Sequence, residues 1–253
     1  MSNAFENTGA AIPLPRVTSD DGAIGDPSPA APRTSHRNGV RRSRVKAKAP
    51  YDDLLWRLQS RQGANAAPLT IGLVGCDRRA GVTTIAANLA VRAAELQFGP
   101  VLLVETDARR PRLAKLWKLG RGPGLAELLS GEDAYGACLC PGPVDDLSVL
   151  HAGKPHRTAG AAWTAGDVDA LFAEVCADHS LVFFDLPPAR DLQKSLLLAR
   201  RLDQALLVVR AESDRDAELK KCVDRLLNDG VPIAGAILNR KRSYVPSWLR
   251  RWA

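Results

Sequence analysis

Six short apolar segments of strand length recur along the chain, separated by longer segments whose apolar residues are spaced as in helices. The apolar segments are Leu69–Gly75, Val101–Glu105, Leu147–Leu150, Leu181–Asp185, Gln204–Arg210 and Ile233–Leu238. The predicted helices are Thr83–Gln97, Ala165–Asp178, Leu192–Arg201 and Arg215–Asn228. Strands that are apolar throughout, rather than at alternate positions, are typical of a parallel sheet covered on both faces. The pattern therefore predicts a three-layer α/β fold with a mainly parallel sheet flanked by helices.

The two ends of the chain differ in composition from this alternating region. Residues 1–49 are rich in Ala, Pro, Ser, Arg and Gly and carry few large apolar side chains, which predicts a disordered basic arm. Tyr51–Arg61 has leucines at helical spacing and is predicted to form a short amphipathic helix before the first strand. We expect one domain over residues 50–242 and a basic, Trp-containing tail over residues 243–253.

The composition limits the classes of protein to which the chain can belong. The 253 residues are 45% hydrophobic, which is enough for one sizeable core. No stretch reaches the roughly 18 to 20 uncharged apolar residues that cross a bilayer, so we expect a chain that neither spans a membrane nor is secreted. Five cysteines without a CxxC pair favour a reducing cytoplasm over a disulfide framework or a zinc site. The net charge of +7 sits mainly at the two ends, which could contact an anionic membrane surface or nucleic acid, or remain solvated.

The first predicted strand runs into GCDRRAGVTTIAANLA, residues 75–90, and then into a helix. This context suits a phosphate loop, because successive backbone N–H groups and the helix N-terminus together form an anion-binding concavity. Gly81 sits where a side chain would obstruct a phosphate, Thr83 occupies the hydroxyl position that ligates Mg²⁺, and Val82 stands where a lysine belongs. The candidate nucleotide-binding residues are Arg78, Arg79, Ala80, Gly81, Val82, Thr83 and Thr84. Taken alone, the loop leaves an ordinary strand-to-helix turn open as the alternative.

Two aspartates follow predicted strands. The segment ETDARRP closes the second strand and places Asp107 just beyond it, and FFDLPP ends the fourth strand at Asp185. A carboxylate at the C-terminal end of a buried parallel strand lies beside the phosphate loop, where it can hold Mg²⁺ directly or through water. Asp107 and Asp185 are therefore the candidate catalytic residues and, with Thr83, the candidate metal ligands. Capping of the turn beyond each strand is the alternative role for either aspartate.

The segments VLLVETDARRPRLAKLW, GPGLAELLSGE, VFFDLPP and GAILNR resemble the bacterial tyrosine kinases of capsule and exopolysaccharide synthesis, within the MinD/ParA-type P-loop ATPases. The resemblance extends over about residues 51–242. It implies a P-loop NTPase fold with ATP or ADP and Mg²⁺ as ligands. It also implies that Gly81–Thr84 binds ATP, that Asp107 belongs to a second acidic motif and that Asp185 belongs to the Walker B site.

The same resemblance implies where such a protein works. It implies a polysaccharide chain-length determinant (Wzz-like) protein of the inner membrane as partner, and a cytoplasmic location at the periphery of that membrane. An anionic membrane surface and a homo-oligomer are further expected contacts, whereas nucleic acid is not an expected partner. Arg109 and Arg110 are placed by the resemblance near nucleotide or a neighbouring subunit, with a solvated loop as the alternative.

Several residues depart from the family pattern. Val82 replaces the loop lysine, Glu105 replaces the first aspartate of the second acidic motif, and Leu186 replaces the threonine of DTPP. Without the lysine, a phosphate lacks one charge-assisted partner, worth about 1.5 to 3 kcal/mol in binding. A C-terminal tyrosine cluster is absent from the sequence, since only Tyr244 lies near the end. The resemblance implies a nucleotide-binding, kinase-like accessory protein of exopolysaccharide biosynthesis, and these departures predict that it is a pseudokinase.

Two alternatives remain open from the sequence. One is a working ATPase or tyrosine autokinase in which Arg78 or Arg79 replaces the lysine, although a planar guanidinium does not simply substitute for a compact ammonium. The other is a MinD- or ParA-like positioning ATPase that moves on a membrane or on DNA.

Overall fold

The computed structural model describes residues 48–60, 68–120, 122–154, 163–211 and 216–240. The strands are β1 Leu69–Gly75, β2 Val101–Glu105, β3 Cys140–Pro141, β4 Leu147–Leu150, β5 Leu181–Asp185, β6 Gln204–Arg210 and β7 Ile233–Asn239. The helices are α1 Ala49–Ser60, α2 Val82–Glu95, α3 Leu113–Trp117, α4 Leu125–Leu129, α5 Tyr135–Cys138, α6 Ala165–Asp178, α7 Leu196–Arg201 and α8 Asp216–Asn228. A 3₁₀ helix over Ala189–Ser195 leads directly into α7.

The described strands form one sheet in the order β3-β4-β2-β5-β1-β6-β7. All neighbouring pairs are parallel except β3 and β4, which pair antiparallel. Successive residues of a strand face opposite sides of the sheet, so Ile71 and Leu73 join a core with α1 and α2, whereas Val74 joins a core with α6 and α7. Two apolar cores, one on each face, confirm the predicted three-layer α/β architecture.

The predicted elements match the observed ones closely in the centre of the sheet. Five predicted strands have the observed bounds, and the sixth continues one residue further, to Asn239. The predicted helix from Leu192 begins earlier, as the 3₁₀ helix at Ala189, and α2 ends at Glu95 rather than Gln97. The short elements α3, α4, α5 and β3 were not predicted.

The first helix packs against α2 through an ion-pair cluster. The Arg92 side chain, only 7% exposed, donates to both carboxylate oxygens of Asp52 at 2.8 Å and also pairs with Glu95. Leu55 and Leu58 of α1 are buried in the core on the same face. Ala49, which we assigned to the arm, lies in α1. The rest of the predicted arm, apart from Lys48, and the predicted tail 243–253 lie outside the described residues.

Candidate functional site

The predicted site residues come from three neighbouring parallel strands. Strand β5 lies between β1 and β2, and β1 leads into the loop before α2. Asp185 is the last residue of β5 and lies in register with Leu73 of β1 on one side and Glu105 of β2 on the other. Because parallel strands end at the same edge of a sheet, the loop, Asp107 and Asp185 meet there.

The loop before α2 turns at Gly81, which has φ 93° and ψ 24° in the left-handed region. A Cβ atom at this position would lie 2.4 Å from Asn239 Nδ2, so both the backbone angle and the close approach require glycine. Asn239, at the end of β7, donates from Nδ2 to the Ala80 carbonyl at 2.7 Å. No side chain caps the N-terminus of α2, so its first N–H groups keep the orientation that suits an anion.

Asp185 is a buried acidic residue of this edge that interacts with Thr83. Asp185 is 6% exposed, and burial raises the pKa of its carboxyl from 3.8 to about 7. A hydrogen bond from the Thr83 hydroxyl opposes that rise in pKa, whereas the nearby charges of Glu105 and Asp107 add to it. The Thr83–Asp185 pair therefore joins a hydroxyl and a carboxyl whose protonation changes near neutral pH.

Glu105, at the end of β2, binds backbone N–H groups beside the site. Its buried carboxylate accepts backbone N–H groups from Arg112, from Leu113 at 3.0 Å and from Ala152 at 3.4 Å. Burial raises the pKa of Glu105, and these three hydrogen bonds oppose the rise. Glu105 thus holds the start of α3 and the segment after β4 in place beside the site.

An arginine of the loop faces two carboxylates. Arg78 donates from Nη2 to Asp191 Oδ2 at 2.7 Å, and its Nη1 lies 3.6 Å from Asp107 Oδ2. Each of these three side chains is 21 to 22% exposed. The neighbouring Arg79 side chain is exposed, and only its backbone N–H is fixed, by Asp77 Oδ1 at 2.6 Å. Of these two loop arginines, Arg78 is therefore better placed to supply the positive charge of the absent lysine.

These groups line a small cavity of about 40 Å³, which we call the loop site. Its lining residues are Asp77, Arg78, Val82, Thr83, Glu105, Asp107, Arg110, Arg112, Asp185, Leu186, Pro187 and Pro188. Both predicted aspartates and Thr83 line it. The Val82 side chain also lines it, at the position where the motif has a lysine. Three arginines and four carboxyl groups make it strongly charged and of mixed sign.

The structure separates the predicted candidates into two groups. Arg78, Val82 and Thr83 reach the loop site, whereas the side chains of Arg79 and Thr84 are exposed and do not line it. Ala80 is buried and contributes its carbonyl to the bond with Asn239, while Gly81 sets the turn. Arg110 lines the site and Arg109 does not.

Sequence reasoning missed Asp191 and Asn239. Asn239 follows the last predicted strand directly, so its place at the carboxyl edge of the sheet was a usable signal. Asp191 lies in the segment after Pro187 and Pro188, where it resembles an ordinary turn residue. Only the folded arrangement reveals its contact with Arg78, which is 113 residues away in sequence.

No protein-family model matches the chain. A putative tyrosine-protein kinase, CapB of Staphylococcus aureus, is 26% identical over 160 residues, which cover 63% of this chain and 70% of that protein. The tyrosine-protein kinase YwqD of Bacillus subtilis is 28% identical over 64% of this chain and 68% of its own length. The chain spans only 23% of the longer tyrosine-protein kinase wzc of Salmonella typhi.

Solved structures show the same fold. The kinase domain of Escherichia coli tyrosine kinase ETK superposes with a TM-score of 0.71 at 23% identity, covering 83% of this chain and 88% of that domain. The septum site-determining protein MinD of Pyrococcus horikoshii, complexed with Mg-ADP, gives a TM-score of 0.58 at 20% identity over 73% and 76% of the two chains. The chain is thus similar in sequence to bacterial tyrosine-protein kinases and shares the fold of their kinase domains and of MinD, as its motifs predict.

Proposed function

We propose that the chain is a nucleotide-binding, tyrosine-kinase-like accessory protein of bacterial exopolysaccharide synthesis and export, and that it is a pseudokinase. The observation that carries this proposal is the composition of the loop site. Thr83, Asp107 and Asp185 are assembled around a phosphate loop, but Val82 offers an apolar side chain where phosphoryl transfer needs a cation. Binding can therefore persist while the charge that develops during transfer is left without one of its stabilising partners.

The oxygen ligands of the loop site fit Mg²⁺. Magnesium prefers hard oxygen ligands, keeps several waters and binds through one or two carboxylates with substrate phosphates. The Thr83 hydroxyl and the Asp185 carboxyl lie together at the loop site, which gives one such pair of ligands. Bound Mg²⁺ would neutralise phosphate charge. Asp107 is engaged by Arg78, so we assign it to the edge of this metal site.

The protein's own groups then divide the work of binding. The uncapped N-terminus of α2 and the loop backbone receive the phosphates, and Gly81 keeps the approach to them free of side-chain atoms. Asp185 holds a proton at its carboxyl below about pH 7 and releases it above, so its ability to act as a ligand increases with pH. Nucleotide then acts by stabilising one conformation or assembly of the chain, as a ligand with different affinities for two states does.

The names of the relatives support the proposed cellular setting. CapB, YwqD and wzc are named as tyrosine kinases, and another relative is described as a putative tyrosine-protein kinase in the cps region of Klebsiella pneumoniae. We assign the chain to the cytoplasmic periphery of the inner membrane, with a membrane-embedded chain-length determinant as partner. Among the described residues, none of the helices has the length and apolar character needed to cross a bilayer. The net charge of +7 suits contact with anionic lipid.

A calorimetric titration of the full chain with ATP and ADP, each with and without Mg²⁺, tests nucleotide binding. We expect saturable binding of at least one nucleotide. An absence of binding heat at millimolar ligand, confirmed by unchanged thermal unfolding, would overturn the proposed function.

A working autokinase is the second candidate, because Arg78 reaches the loop site and can supply a cation. Incubation with radiolabelled ATP and Mg²⁺ separates the two. The pseudokinase proposal predicts no incorporation of phosphate into the chain. Incorporation that disappears in the Tyr244→Phe variant would establish the autokinase instead.

A further inference from the structure

The Arg78 guanidinium makes one close hydrogen bond, to Asp191, and one longer ion pair, with Asp107. Its Nη2 donates a 2.7 Å hydrogen bond to Asp191 Oδ2, a length typical of a charge-assisted bond. Its Nη1 lies 3.6 Å from Asp107 Oδ2, which is too long for a hydrogen bond. The Arg78 side chain also lines the loop site, and its five N–H donors outnumber these two carboxylate contacts. An arginine can bind a carboxylate with one edge and a phosphate with another, because it carries five N–H donors in a fixed geometry.

Asp191 is itself fixed by the backbone around it. It lies in the 3₁₀ helix that follows the buried pair Pro187 and Pro188, and its N–H donates to the Pro188 carbonyl at 2.7 Å. Proline restricts the backbone at both positions, so the backbone that carries the Asp191 carboxylate has a well-defined conformation. Arg190 also approaches Asp191, at 3.8 Å, but it is 59% exposed and solvent screens this contact.

Other cations around the loop are less suited to replace the lysine. Arg79 is exposed and does not line the loop site. Arg110 and Arg112 also line it, but they belong to the segment after β2 rather than to the phosphate loop. Among these arginines, Arg78 alone both belongs to the loop and lines the site.

We propose that Arg78 supplies the phosphate-binding cation that the loop lacks at Val82, and that Asp191 is the positioning residue that aims the guanidinium. This inference rests on the nucleotide-binding part of the proposed function and deepens it. It concerns binding of the phosphates and not their transfer, because a planar guanidinium does not simply substitute for a compact ammonium. It assigns the missing charge to a residue four positions before the valine, held from outside the loop by the segment that follows β5. The ligand class is a nucleoside di- or triphosphate, with the contact made to its phosphates.

Calorimetric titration of the full-length chain with ADP and ATP tests the role of Arg78. Arg78→Met should weaken binding of either nucleotide roughly 10- to 100-fold, the range expected when a charge-assisted hydrogen bond is lost. Val82→Lys in the Arg78→Met background should recover most of that loss, because it returns an ammonium to the usual place. The matched control is Arg201→Met on α7, which removes an exposed arginine remote from the loop site and should leave the affinity unchanged.

Asp191→Asn tests the positioning role, because it keeps the size of the side chain and removes its charge. We expect weaker nucleotide binding in the wild-type background and no further weakening in the Arg78→Met background. A merely structural contribution of Asp191 would weaken binding equally in both. Tighter binding in Asp191→Asn would mean that Asp191 competes with the phosphates for Arg78, and would overturn the assignment.

Arg78→Lys keeps the experiment decisive if Arg78→Met fails to fold. It retains a positive charge but loses the fork, so we expect an affinity between those of the unmodified chain and the methionine variant. Nucleotide binding by the unmodified chain with unchanged affinity in Arg78→Met, or in Arg78→Lys if only that variant folds, would overturn this inference and leave the proposed function standing. A loss of nucleotide affinity that occurs in Arg79→Met and not in the Arg78 variants would also overturn this inference. An unmodified chain that binds no nucleotide would overturn both.

Discussion

The buried carboxyl of Asp185 makes the stability of the chain depend on pH. In the folded chain the pKa of Asp185 is about 7, whereas its ordinary value is 3.8. The folded chain therefore binds more protons than the unfolded chain between these two values, and its free energy of unfolding falls as the pH rises through that window. Each pH unit is worth about 1.4 kcal/mol, so the full cost of ionising Asp185 in place is about 4 kcal/mol.

Asp185→Asn removes this cost, because the amide is neutral at every pH and its oxygen can still accept from the Thr83 hydroxyl. We expect the stability advantage of the variant over the unmodified chain to grow by roughly 2 to 3 kcal/mol between about pH 5 and about pH 8.5. Glu105, whose pKa is also raised by burial, is present in both proteins, so its own contribution largely cancels in the comparison.

Urea unfolding of both proteins at several pH values, without nucleotide or Mg²⁺, measures this difference. Asp167→Asn is the control, because the hydrogen bonds of Thr164 lower the pKa of Asp167 below 3.8. Its stability contribution is lost only as the pH falls through that lower range, so its difference from the unmodified chain should stay constant above about pH 5. An Asp185→Asn advantage that is constant or shrinks with rising pH would refute the reasoning.

Three further changes have defined outcomes. Gly81→Ala forces a side chain into the left-handed region and against Asn239, so thermal unfolding should show a loss of at least about 1 to 2 kcal/mol. Glu105→Gln keeps one acceptor oxygen but turns an amide donor toward backbone N–H groups, and urea unfolding should show a loss of about 1 to 3 kcal/mol. Arg92→Met removes the ion pair with Asp52, so hydrogen exchange should become faster in α1 than in β1, whereas equal exchange would contradict a local role of this pair.

The central strands were predictable because strands buried on both faces have mainly apolar sequences. Every residue of β1, β2 and β5 is buried, so each appears as a mainly apolar segment. The helices α3 and α5, with five and four residues, are too short to show a helical period. The two residues of β3 form a strand only because β4 pairs with them, and that pairing is a property of the folded chain.

The candidate site was predictable to the extent that sheet topology determines it. Asp107 and Asp185 follow parallel strands, and strands of one sheet end at a common edge, so their meeting with the loop could be expected. Two features were beyond sequence reasoning. The choice of Arg78 over Arg79 depends on side-chain direction in the loop, and its partner Asp191 comes from a segment that no motif marks.

Asn239 occupies the space that a side chain at position 81 would need, and its amide also holds the carbonyl of Ala80. Evolution at these two positions is therefore linked. A related protein with a larger residue in place of Gly81 also needs a shorter or differently oriented side chain at position 239. A protein without Asn239 needs another donor for the Ala80 carbonyl. Paired substitutions at these two positions should recur among homologues of this chain, although 158 residues of sequence separate them.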